Sequence, residues 1–237
     1  IVSNETKGML LGILGVISFG LTLPATRFVV PYLDPLFIGL GRAVVASFFA
    51  GALLIFSGQS KPNKKQLYQL VVVALGVVIG FPVLSAWAMQ TVPASHGGVV
   101  FGLLPLATAI IAVCISNERP STGFWISGVA GSILVIVYSF QKGLGSFHQG
   151  DLALFGAILS AAIGYAVGGQ LSKTMGGWQV ICWALVISLP FILIPAVMKA
   201  PQNVLELPFN IWLSFLYLAL VSQLLGFFLW NKGLALG

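Results

Sequence analysis

The chain has 237 residues, of which 58% are hydrophobic and 7% charged, with a formal net charge of +6. A water-soluble domain carries roughly a quarter charged residues to solvate its surface, so this chain lacks the polar residues to cover a globule. Its apolar residues fall in long runs of the kind a bilayer core demands, about 20 residues each, and the solvent is lipid. The basic excess lies in loops and at span ends and forms no soluble basic face, which excludes a nucleic-acid partner.

Eight helices are expected, at about 8–32, 35–56, 66–90, 94–116, 121–140, 152–173, 177–199 and 210–235. The first run is too long for a signal-peptide core and has no small-residue cleavage site followed by soluble sequence, so it reads as a retained helix. It carries the polar Ser18 and Thr22. The second holds Arg42 some seven residues in, where an ionisable side chain is costly and is by default a functional candidate. The competing reading is snorkelling or a bond to helix carbonyls.

Trp87 near the end of the third run keeps company with Ser85 and Gln90. His96 opens the fourth run and could sense protons near neutral pH, or simply hydrogen-bond at the interface; Phe101 follows it. The later runs bring Tyr165, Trp183, Gln223, Trp230 and Asn231. Phe101, Tyr165, Trp87, Trp183 and Trp230 are candidate cavity walls, since aromatic rings bury flat solutes, although tryptophans at span ends also form interfacial belts, the preferred reading for Trp178. Ser18, Thr22, Gln223 and Asn231 must find partners in lipid and should face the bundle or a wet interior. Glycine pairs (Gly8 and Gly12, Gly76 and Gly80, Gly98 and Gly102, Gly164 and Gly168) have close-packing spacing, and Pro24, Pro82, Pro105, Pro190 and Pro195 interrupt intrahelical bonds.

The breaks between runs are short and rich in turn residues, for example 57–63, 117–120 and 143–146, and none admits a soluble domain. With the N-terminus inside, Lys7, Lys61, Lys64, Lys65, Arg119, Lys173 and Lys232 fall on one side, against Arg27, Lys142 and Lys199 on the other. Basic residues favour the cytoplasmic face, which places the N-terminus there and lets the surplus charge meet anionic lipid. All five acidic residues, Glu5, Asp34, Glu118, Asp151 and Glu206, read as loop or span-end residues. With no mid-membrane carboxylate, the chain is expected to suit a neutral, zwitterionic or carboxylate-bearing solute rather than a cation. Two scattered cysteines and two distant histidines make no metal-ligand cluster, so no metal or cofactor is expected, and no clustered nucleophile and base points to an enzyme.

Residues 8–18 lie over 150–160 at an offset of 142, and Trp87 lies over Trp230 at an offset of 143. An internal duplication follows. Its unit has five helices, so the second copy enters the membrane inverted, the plan of many secondary transporters. The expected fold is therefore an all-α integral membrane protein of two inverted five-helix repeats, 1–141 and 150–237. Gly237 matches Ala94, so about eight of ten helices are present and two more are expected in the full-length protein.

The run Ser18-Phe19-Gly20, Pro24, Arg27, Pro35, Arg42 and Ala46, then Pro105-Leu106-Ala107-Thr108-Ala109, Glu118-Arg119-Pro120 and Trp125-Ile126-Ser127-Gly128, resembles the EamA-type half of the drug/metabolite transporter superfamily. The resemblance covers the whole chain and rests on the order and spacing of short motifs; Phe19 departs from it, since the pattern often has Trp there. It implies ten helices in two inverted halves, both termini cytoplasmic, a central cavity and export of amino acids or other metabolites. The combined expectation is an alternating-access carrier in a bacterial inner membrane, with a small-molecule substrate, lipid contacts, and helix faces compatible with a homodimer. A multidrug exporter of cations is the alternative within transport; a membrane-embedded enzyme or a channel fits less well.

Overall fold

Local chemistry sets the helix boundaries. The computed structural model describes residues 3–116, 120–141 and 149–236. Its eight long helices are α1 (Asn4–Val29), α2 (Pro35–Phe56), α3 (Lys64–Ala88), α4 (Ala94–Ile115), α5 (Thr122–Gln141), α6 (Gln149–Met175), α7 (Gly177–Met198) and α8 (Phe209–Leu236). All but α5 meet the length and apolarity needed to cross a membrane, and α5 contains the apolar stretch Thr122–Val135. The fold is an all-helical integral membrane fold, as the apolar runs predict. Asn117, Glu118, Arg119, Lys142, Gly143, Leu144, Gly145, Ser146, His148 and Gly237 lie outside the described residues.

Caps begin the helices where polar side chains can satisfy the first free N–H groups. The Ser3 hydroxyl accepts from Thr6 N–H, and the Asp34 carboxylate accepts from Leu36 N–H ahead of Pro35. Asn63 and Gln66 form a reciprocal capping box at α3. Gly176, with φ of 97°, makes the single-residue turn between α6 and α7 that an L side chain would strain.

Short connections make successive helices antiparallel, so the bundle has two ends. One carries Asp34, Gln90, the start of α6 and Lys199, with Lys199 Nζ 3.5 Å from Asp34 Oδ2; we call it the Asp34 end. The other carries Ser57–Asn63 and Gly176 and is the Lys64 end. At the centre α2 lies along α7, the most extensive helix pairing among the described residues. On one side of this pair α1 packs on α8, and on the other α3 packs on α6, which also receives α4.

The glycine spacings explain two of these contacts. A Cβ on Gly76 would sit 2.5 Å from the Ser160 carbonyl oxygen and 3.0 Å from Gly164 Cα, so α3 and α6 touch backbone to backbone. Gly233 of α8 comes as close to Gly8 and Gly12 of α1, with 2.9 Å from its ideal Cβ to Gly12 N. Gly98, by contrast, faces open space.

The prolines act unevenly. α7 continues as one helix across Pro190 and Pro195. α3 carries a π-helical segment, Ala74–Gly80, just before Pro82, whose ring would clash with the carbonyl four residues back in a regular helix. α8 carries a second one, Tyr217–Leu225, with no proline near it. The two begin at the same separation that relates Trp87 to Trp230. Such bulges occur mostly as single turns, often at functional sites.

Candidate functional site

Arg42 is the residue around which a site can be built. It lies on the inner face of α2, 1% exposed, and its Nε has no hydrogen-bond partner. Its guanidinium carbon lies 6.0 Å from the centroid of Phe81 on α3, and Phe81 in turn lies 5.6 Å from Phe101 on α4. The hydroxyls of Tyr165 on α6 and Tyr217 on α8 are within electrostatic reach of the cation. Neither ion pair described here involves Arg42, so among the described residues no carboxylate neutralises it. A buried, uncompensated guanidinium is costly, and it persists where a ligand or a functional requirement supplies the missing partner.

Beyond Tyr165 the aromatics continue. Tyr165 lies 5.4 Å from Trp230 and 5.9 Å from Phe227, and Phe19 meets Phe227 at 5.1 Å and Trp230 at 6.4 Å. These rings come from α1, α6 and α8, and with Arg42, Phe81 and Phe101 they join six helices. Trp230 Nε1 and Gln223 Oε1 are also buried without partners. The cluster thus offers two unspent donors, Arg42 and Trp230, among apolar ring faces, and Gln223 on α8 adds a buried unspent acceptor outside it.

The other candidates fall elsewhere. Thr22 spends its hydroxyl on Ser222 at 2.8 Å, tying α1 to the π segment of α8. Ser18 bonds its own helix at the Leu14 carbonyl, while its carbonyl accepts from the Tyr217 hydroxyl at 2.7 Å. Asn231 donates to the Gly177 carbonyl at 3.1 Å and clamps α8 to the start of α7. Gln223 donates to the Val77 carbonyl at 3.1 Å, so its other end joins the two π segments. Trp183 is half-buried against the core around α7. Trp87 is 50% exposed on the bundle surface, and Gln90 is exposed, its carbonyl accepting from Arg27 at 3.0 Å. The geometry therefore separates Trp87 and Gln90 from the Arg42 cluster, against the grouping expected from sequence.

His96 is buried and bonded to Asp151, Nε2 to Oδ1 at 2.8 Å. Asp151 lies at a span end, as read from the sequence, but α6 begins at Gln149, which draws it into the first turn, 4% exposed. Sequence reasoning also passed over Phe81, Phe227 and Tyr217, which carry no signal beyond being aromatic in apolar runs. An open groove of about 440 Å³ lies between α1 and α8, lined by Leu21, Pro24, Phe28, Leu213 and Tyr217 among others. Apart from Tyr217 it shares nothing with the Arg42 cluster.

Comparisons with known proteins agree with this architecture. The EamA-like transporter family matches residues 6–140 and again 148–237. The uncharacterized transporter YdeK of Bacillus subtilis (strain 168) is 44% identical over 236 residues, spanning 100% of this chain and 82% of that protein. Protein PecM of Dickeya dadantii (strain 3937) is 28% identical over 225 residues, 91% of this chain and 71% of PecM. A solved crystal structure superposes with a TM-score of 0.65 over 96% of this chain and 78% of its own, at 16% identity, a likeness of fold alone. Matched along almost its whole length, the chain belongs to the EamA-like transporter family and is an integral membrane transporter.

Proposed function

We propose that the protein is a secondary carrier that exports small amphiphilic metabolites, amino acids foremost, by alternating access through a cavity at the Arg42 cluster. The observation that carries this reading is the buried Arg42 with no described carboxylate partner, walled by rings from five other helices. A solute carboxylate would supply the missing counter-charge. Its apolar part would lie against Phe81, Tyr165 and Trp230, and an ammonium group would find the unspent oxygen of Gln223. A carrier of cationic drugs would need an acid at this place, and Asp151, the buried carboxylate described here, is already committed to His96. The family membership argues for transport rather than catalysis.

An inverted repeat would supply the mechanism. The pairing of α1 with α8 and of α3 with α6 about the central α2 and α7 is what two inverted copies produce, and the π segments recur at the repeat offset. Such copies can exchange shapes and open to each side in turn. We place the N-terminus in the cytoplasm of a bacterial inner membrane, because the basic residues then gather inside; the Asp34 end then faces outward. The apolar outer faces contact lipid, and a homodimer is compatible with them.

The test is flux of radiolabelled amino acids in proteoliposomes holding the full-length protein. Saturable flux that unlabelled amino acids compete, lost in Arg42→Ala, is the expected result. Flux of carboxylate-bearing solutes unchanged in Arg42→Ala would sink the assignment of Arg42.

A further inference from the structure

We infer that Gln223 is a positioning residue: its side-chain amide supplies the donor that Pro82 withholds from the Val77 carbonyl, and so holds α3 in the π register that sets Phe81 over Arg42. In an α-helix the Val77 carbonyl would accept from the N–H four residues on, that of Phe81, and in a π turn from the N–H five residues on. Here the Phe81 N–H donates to the Gly76 carbonyl instead, and the residue five on is Pro82, which has no N–H. Val77 is 1% exposed, and a carbonyl left unpaired in such a place is costly. Gln223 Nε2, on a fully buried side chain, donates to it at 3.1 Å. The bond crosses from one π segment to the other, yet the need lies on one side: at the separation of Trp87 from Trp230, α8 has Leu225 where α3 has Pro82.

The consequence is an element with two registers. With Gln223 bonded, the Val77 carbonyl is satisfied and α3 keeps the extra residue in its turn. Without that bond, the carbonyl regains a main-chain donor when the Phe81 N–H returns to it, which is the α register. The change turns the helix beyond it by one residue, roughly 100°. It carries Phe81 away from the place where its ring lies 6.0 Å from the Arg42 guanidinium carbon and 5.6 Å from Phe101. α6 backs the segment from another side: a Cβ on Gly76 would stand 2.5 Å from the Ser160 carbonyl oxygen, and one on Gly80 2.7 Å from the Ser160 hydroxyl. The π turn is thus wedged between α6 and the Gln223 amide, and Gln223 acts on the surroundings of Arg42 through Phe81.

That this register shapes a solute site rests on the carrier reading; the register assignment itself does not. A nitroxide on Trp87→Cys, a half-exposed position beyond the π segment, reports the register in the full-length protein carrying Cys114→Ala; Cys182 is buried. In the α register the label turns off the lipid face, so Gln223→Leu is expected to lower its oxygen collision rate in nanodiscs by about half or more. The melting temperature in detergent should fall by roughly 2–12 °C. Pro82→Ala gives the Val77 carbonyl a main-chain donor in either register, so on that background Gln223→Leu should shift both readouts by about half as much or less. A side chain that only fills space would give the same shifts on both backgrounds. An unmoved label in Gln223→Leu, or equal shifts with and without Pro82, overturns the inference. Where Gln223→Leu alone fails to fold, Pro82→Ala must restore folding, and a double variant that also fails overturns the inference too. Radiolabelled leucine exchange in proteoliposomes separates the two readings. Wild-type exchange beside an unmoved label in Gln223→Leu rejects the register assignment and keeps the carrier, whereas a moved label without exchange of any tested solute keeps the register assignment and rejects the carrier.

Discussion

Replacing Arg42 with methionine should move stability and solute affinity in opposite directions. The side chain is fully enclosed, its Nε is unpartnered, and its one described favourable contact is the Phe81 ring at 6.0 Å. That contact is worth about 0.5–2 kcal/mol, against several kcal/mol for holding an ion out of water. Methionine fills a similar length without the charge, so the solute-free protein should gain about 1–3 kcal/mol, in the range seen when buried charges give way to apolar residues. At about 2–4 °C per kcal/mol for a chain of this size, the melting temperature in detergent should rise by several degrees. Affinity for a carboxylate-bearing solute should fall, because truncating one side of a buried charged pair costs about 2–5 kcal/mol, and about 1.4 kcal/mol is tenfold. A loss of roughly 30-fold or more is expected in the half-saturation concentration or in a binding titration. Paired melting and binding curves on the same preparation decide it. A melting temperature that falls in Arg42→Met would show Arg42 to be a structural residue bonded within the bundle, and the reasoning would fail.

Three further outcomes follow from the packing. Gly76→Ala should destabilise by about 1–3 kcal/mol, the range for overpacking, because its Cβ would stand 2.5 Å from a backbone oxygen, whereas Gly12→Ala, with nothing within 4 Å, should be neutral or slightly stabilising; thermal melts of the two variants side by side test this. Gln223→Leu removes the link from α8 to the Val77 carbonyl and should alter the turnover of exchange more than its half-saturation concentration, because the bond joins the two π segments. Trp87→Ala, on a half-exposed surface position, should leave exchange within about twofold, since surface substitutions away from special contacts cost at most about 0.5 kcal/mol, and a tenfold loss would return Trp87 to the cavity wall.

The helices were legible because apolar run length is a coarse property that survives errors of a few residues. The site was legible where chemistry is rare. One arginine in an apolar run is conspicuous whatever its neighbours, and Arg42 is buried as its cost demands. Aromatic residues are common in such runs, and a helix that is apolar all round does not declare which face it turns inward. Trp87 and Trp230 occupy matching positions in the repeat pattern, yet the first is half exposed and the second stacks on Tyr165. The burial of Asp151 was hidden by a helix boundary: a start set three residues late leaves it at the edge of the span, and the start at Gln149 buries it beside His96. The π segments leave almost no trace in residue type, save Pro82 after the first.

The expectation of a wet interior from Ser18, Thr22, Gln223 and Asn231 needs a sharper form. Ser47, Thr108, Ser132, Ser172 and Ser188 each donate to the carbonyl four residues back in their own helix, a local bond that satisfies the hydroxyl. Such residues need neither water nor solute and say nothing about a cavity. Arg42 Nε, Trp230 Nε1 and the amide oxygen of Gln223 make no such local bond and are buried without a partner. In the proposed carrier, the two donors left unspent among ring faces would suit an anionic group on the solute, and the buried Gln223 oxygen would be a further acceptor. Buried polar atoms without a partner thus bear on binding more directly than self-satisfied hydroxyls do, since the bonds they leave unmade are those a solute could make.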